Sequence, residues 1–404
     1  MSVVSYRSTK IACYLGYITQ AISINLSPLL YVTFQKNFDV TLSQLGMLAT
    51  VIFVIQIAMD LLAARFGKYI SFRVGCVAAH VFATIGLLSM AVLPQLLSNP
   101  YVGLLLAAIL LSVGGGLTEV LISPVIDAIP GDAKAGEMSL LHSFYCWGIV
   151  GVILLSTAFF AAFGTEAWQW LVALWALIPA VTTALFALVP LPPKPEETAV
   201  NKRTSRCDFG RWFGLAMVLM ICAGATEMGL AQWVSLFAER GLRISKIAGD
   251  LLGPCAFALF QGASRVVYGR MTARYDGRRL LMWCAVGCVI GYALVIVAPW
   301  PLLALLGFCL CGWFVGPMWP GILSLSSARY PLGGTAMFAV LALCGDVGCS
   351  AAPALIGVLS DHLQLHRPLV DALRGGFAVC LIFPIVLLIG LLILHRRSNP
   401  KCPS

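Results

Sequence analysis

Continuously apolar runs of about twenty residues recur from end to end of this chain, each long enough to cross about 30 Å of hydrocarbon. The runs lack the alternation of barrel strands, so the spanning elements are helices, which satisfy their backbone groups internally. Composition agrees. Of the 404 residues 60% are hydrophobic and 11% charged, with a mean hydropathy of +0.93, too few charges to cover a water-soluble domain. Twelve spans are expected, at 11–34, 44–64, 71–93, 101–127, 138–163, 168–190, 209–237, 247–271, 279–298, 301–327, 335–360 and 371–394. The first begins near Ile11, is longer than the apolar core of a leader peptide and lacks a cleavage site, so no cleavable leader is expected. The 14 cysteines lie mostly inside runs, as in CLCGW, and read as small apolar fillers, neither a disulfide framework nor a metal site.

Basic residues set the orientation. With the N-terminus inside, 20 of the 26 lysines and arginines fall on cytoplasmic segments. The expected location is the cell membrane, with both termini cytoplasmic, and the net charge of +9 reflects the inner leaflet, not nucleic-acid binding.

One hydrophilic break, LPPKPEETAVNKRTSRCDFGR at 191–211, divides the spans six and six. The expected organisation is a bundle over 1–190, a cytoplasmic linker over 191–208, and a second bundle with a short tail over 209–404. The halves repeat. ARFGKYISFR (64–73) parallels ARYDGRRLLM (273–282), WGIVG (147–151) parallels CGDVG (344–348), and the SP step at 123–124 falls opposite WPG at 319–321. The fold class is therefore all-α and polytopic: twelve transmembrane helices in two pseudo-symmetric six-helix bundles, the mark of a secondary transporter with a mid-membrane site.

This chain resembles the major facilitator superfamily. GRMTARYDGRR (269–279) is similar to that superfamily's loop signature, with one extra residue and Ala273 where an acid is usual. DLLAARFGKY (60–69) is a weaker copy, with Asp60 at the usual glycine. Within the superfamily, GGGLTEVLISPVIDAIP followed by MSLLHSFYCWG resembles the fucose–proton symporter branch. That resemblance implies a proton-coupled carrier in which Glu119 is the coupling acid.

The residues give an independent reason for the same assignment. A charged acid at mid-bilayer costs roughly 2.5–3.5 kcal/mol, so Glu119 must face protein or a water-filled cavity. An acid shielded from water favours its protonated form and yields the proton when water or cargo arrives. The alternative is a protonated acid bonded to a neighbouring helix for structure alone. Gly114, Gly115 and Gly116 allow either a packing seam or a moving helix.

Tyr17, Gln20, Ser23, Ile24 and Ser27 form a stripe at helical spacing on the first span, expected to line the cavity. The resembled branch carries a second acid before the proline of that span, whereas this chain has Ser27 before Pro28. Glu227 of span seven is expected to take over part of that role. Trp233, one heptad from Thr226, is expected beside Glu227 as a sugar-stacking face or an interfacial anchor. His142, with Tyr145 one turn on, offers polar contacts to substrate or a structural hydrogen bond. Trp313 and Trp319 of span ten are cavity walls or bulk, beside prolines that suit a gating helix. Arg265 and Asp346 are each costly alone in a span and are expected to pair. Gln56, His80 and Gln261 are weaker candidates for which core packing is the preferred reading, and Arg274 and Asp276 read as gate residues.

Three function classes follow. The first is proton-coupled uptake of a small polar solute such as a sugar. The second is proton-antiport efflux of amphipathic compounds; the third is a non-transporting sensor, disfavoured because the loops are short. Enzyme and nucleic-acid motifs are lacking, and neither cofactor nor metal is expected. The expected partners are a small-molecule substrate, a proton (with sodium open) and the lipid bilayer, around a monomer.

Overall fold

The computed structural model describes residues 5–40, 42–194, 206–242, 249 and 251–398. The anticipated linker falls mostly outside them, at 195–205, as does the start of the anticipated eighth span. Among the described residues all regular structure is helical. Ten helices there are long and apolar enough to cross a membrane, corresponding to spans two to seven and nine to twelve. The other two anticipated spans differ for visible reasons. The first helix, Arg7–Leu29, dilutes its apolar surface with the polar stripe from Tyr17 to Ser27. The eighth opens with a five-residue π turn, Leu251–Cys255, before the 16-residue helix Ala256–Met271.

Helix ends follow the sequence chemistry. Asn99 caps the fourth span, Pro100–Ala128, accepting from the Tyr101 N–H, with Pro100 at the first helical position where its missing N–H does no harm. Ser71 does the same for the third, Phe72–Leu96, accepting from Val74 N–H. Arg73 caps the far end of the sixth, Trp168–Leu188: its guanidinium donates to Phe186 O at 2.9 Å and Val189 O at 3.0 Å, and to Ala187 O. Span ten is two helices, Pro301–Val315 and Met318–Arg329, parted at Gly316–Pro317.

Two compact units emerge. The first comprises Met1–Asp132, Phe144–Glu197 and Gly333–Val340; the second comprises Ala133–Ser143, Thr198–Leu332 and Leu341–Ser404. Thus the first turns of the fifth span, Lys134–Phe163, group with the second unit, and those of the eleventh, Gly334–Gln364, with the first.

In the first unit, Trp168 anchors the core, its ring edge-on to Phe34 at 5.5 Å and Phe38 at 6.0 Å. In the second, Phe237, Phe308 and Phe377 form a mutual cluster with centroids 5.3–6.1 Å apart. The triple glycine of span four is a packing device. Consecutive helical residues point about 100° apart, so three in a row face three neighbours. A β-carbon at Gly114 would lie 2.6 Å from Ala83 N in span three. One at Gly115 would meet Ser23 of span one at 3.4 Å, and one at Gly116 would meet Met59 of span two at 2.9 Å. Span four thus seats at once against three helices of its own unit.

Candidate functional site

Span four, drawn close by its glycines, meets the polar stripe of span one in an antiparallel ladder. Tyr17 Oη lies 2.7 Å from Ser123 Oγ, Gln20 Nε2 donates to Glu119 Oε2 at 2.8 Å, and Ser23 faces Gly115. The spacing 17, 20, 23 against 123, 119, 115 is what two helical faces give when they run in opposite directions. Ser27, the last member of the stripe, sits elsewhere: its hydroxyl lies 3.9 Å from Met90 Sδ of span three.

Glu119 has a second amide partner. Gln56 Nε2, from the second span (Leu42–Phe66), donates to the same Oε2. Gln56 is buried, so sequence reasoning assigned it to packing, but its bond to an acid 63 positions away makes it part of the site. One signal was available: Gln56 and the fully buried Asp60 stand one turn apart in the most apolar stretch of the second span. The acid itself is 9% exposed, and Gln20 Oε1 is buried with no hydrogen-bond partner among the described residues. An amide carries a donor and an acceptor on one rotatable group. Each glutamine can therefore present N–H to a carboxylate or, after rotation, C=O to a protonated acid.

The second unit has its own buried charge cluster. Arg265 is 3% exposed, and its Nη2 lies 3.6 Å from Glu227 Oε2. Its Nε donates to Gly316 O at 2.7 Å and its Nη1 to His142 O at 2.8 Å, while its own carbonyl accepts from Ser139 Oγ at 2.6 Å. Pro320 explains the first bond. It has no N–H to offer the carbonyl four residues earlier, so Gly316 O is freed inside the membrane and Arg265 satisfies it. Two residues given separate roles from sequence, Glu227 and Arg265, thus form one ion pair. The bond recorded here for His142 to Arg265 runs through its backbone carbonyl.

The remaining expected site residues scatter. Asp346 is buried, and the ring of Trp319 covers the adjacent Gly345, where a β-carbon would lie 2.2 Å from it. Trp313 packs edge-on to Phe260, centroids 6.4 Å apart. Tyr145 is half-buried in the first unit. The seven-residue spacing of Thr226 and Trp233 crosses a break, because the helix Arg206–Ala231 ends between them and Val234–Leu242 starts anew. Trp233 instead donates Nε1 to Pro353 O at 3.3 Å. At the loop after span eight, Arg274 is exposed and Asp276 caps the ninth span, Gly277–Val297, accepting from Arg278 N–H at 3.1 Å.

The sequence model of the Major Facilitator Superfamily matches residues 13–256 and 251–404. The chain belongs to this superfamily. Known structures show the same superfamily fold at low identity. FucP, crystallised as a superfamily transporter in the outward conformation, is 16% identical with a TM-score of 0.75, over 95% of this chain and 99% of that one. XylE, the superfamily's proton:xylose symporter, is 14% identical with a TM-score of 0.78, over 97% and 95%. A bacterial homologue of the iron transporter ferroportin is 15% identical with a TM-score of 0.73, over 96% and 99%. No curated protein sequence matches. Superfamily membership makes the chain a membrane transporter, not an enzyme.

Proposed function

We propose that this protein is a proton-coupled carrier that takes up a small polar solute, a sugar or related polyol, by alternating access. The observation that carries the proposal is Glu119, buried at mid-span and held by Gln20 and Gln56. Two amides that serve either protonation state lower the cost of moving the acid between them. Proton binding and cargo binding then bias the same conformational equilibrium. The relatives FucP and XylE carry sugar–proton symport in their descriptions, fucose for one and xylose for the other, which supports a sugar as cargo.

In this reading Glu227 is a second proton acceptor whose neutralisation loosens its hold on Arg265. Tyr17, Gln20, Ser27, His142, Tyr145, Trp233, Trp313 and Trp319 supply hydrogen bonds and ring faces to cargo. Asp346 pairs with Arg265 in part of the cycle, and Arg274 and Asp276 act at the gate. The halves 1–190 and 209–404 are the two moving bodies, joined by the linker 191–208, with both termini cytoplasmic in the cell membrane.

Counterflow in proteoliposomes against a panel of sugars, polyols and lipophilic cations, at two pH values, tests the proposal. Saturable exchange of a neutral sugar or polyol, accelerated on the acidic side, is the expected result. Movement of lipophilic cations alone would overturn it in favour of efflux.

A further inference from the structure

Span eight holds a buried group that none of the interactions above employs. Gln261 is 2% exposed, and its Nε2 has no hydrogen-bond partner among the described residues. Ser264 lies close by, its hydroxyl donating to Gln261's own backbone carbonyl at 2.9 Å, and a β-carbon at Gly316 would lie 3.2 Å from Gln261 Cγ, yet neither residue accepts from Nε2. Buried amide donors are almost always matched inside proteins, because stripping water from an N–H without replacing the bond is costly. A leucine would fill the same volume without that cost.

The surroundings favour a ligand over a packing accident. Gln261 lies between two departures from regular helix: the π turn Leu251–Cys255 on its own span and the break of span ten at Gly316–Pro317. Such irregularities are tolerated at membrane depth where backbone is buried in protein or lines a cavity, and π turns gather at functional sites. One turn further on, Arg265 is already answered by Glu227 and by the carbonyls of Gly316 and His142. The unmatched Gln261 donor is itself neutral.

We propose that Gln261 is a cargo-binding residue, an amide N–H reserved for a hydroxyl or ring oxygen of an uncharged solute. The assignment rests on the carrier reading above and narrows its cargo class: a carboxylate brought here would meet Glu227 with Arg265 already engaged.

The test compares wild type with Gln261→Leu, and with Gln261→Met should leucine fail to fold, by counterflow KM and by thermal melting of the purified protein. A reserved donor predicts that the apolar variant melts no lower than wild type, while KM for the exchanged neutral sugar rises about tenfold, the loss of one hydrogen bond. Hexuronates should compete poorly with wild type. An unchanged KM, or a fall in melting temperature without a change in KM, overturns the assignment while leaving the carrier intact. If wild type exchanges no neutral solute at all, the carrier reading falls and this one with it.

Discussion

Gln20 donates to Glu119 across 2.8 Å, joining the first and fourth spans through an amide and an acid that lie 99 positions apart in the chain. The other amide, from Gln56, arrives at the same oxygen. Under the proposed function, a buried carboxyl group so held is a proton site with its solvation built in.

Glu119→Gln removes the titratable group but keeps an amide of similar shape. Counterflow, which needs no net proton movement, should continue, while accumulation driven by a pH gradient should vanish. Persisting uphill uptake at an imposed pH difference would show that the coupling proton rides elsewhere.

Gln56→Leu deletes one donor to Glu119 Oε2. Without it the acid loses one of its two amide partners, so the pH dependence of uptake should change, with little change in cargo KM. A profile superimposable on wild type would assign Gln56 to packing.

Breaking the Arg265–Glu227 pair strands a buried charge, which costs about 3–5 kcal/mol where water cannot reach. Glu227→Gln and Arg265→Met should each lower the melting temperature, and the double variant should recover much of the loss. A double-mutant cycle with Asp346→Asn asks whether that acid shares the arginine; coupling below about 0.5 kcal/mol would deny it.

The three glycines of span four should differ in tolerance. Gly114→Ala drives a methyl group against backbone of span three, a clash of the kind that costs about 1–3 kcal/mol, while Gly115→Ala meets only a side chain at ordinary contact distance. Thermal melts showing equal losses at both positions would refute the seating of span four described here.

Much was legible in the order of residues. Apolar length predicts the membrane helices, because partitioning into lipid acts on each segment separately, and among the described residues ten of the twelve anticipated spans are long and apolar enough to cross. The stripe from Tyr17 to Ser23 announced its face, since helical period is local, and the structure sets three of its members against span four. The heptad from Thr226 to Trp233 crosses a helix end that nothing in AQWVS marks with proline or glycine. Gln56 was misread as packing because a buried glutamine looks the same in sequence whether or not an acid waits opposite.

The sequence alone determined that this is a helical membrane protein with an acid deep in its fourth span, since the transfer of each segment from water to lipid is set by that segment's own side chains. Which groups meet that acid, and that Arg265 lies against Glu227 and takes up the carbonyl freed by Pro320, was decided only by tertiary packing. Those bonds join positions 38 to 99 residues apart, and no local pattern encodes which helices will lie side by side.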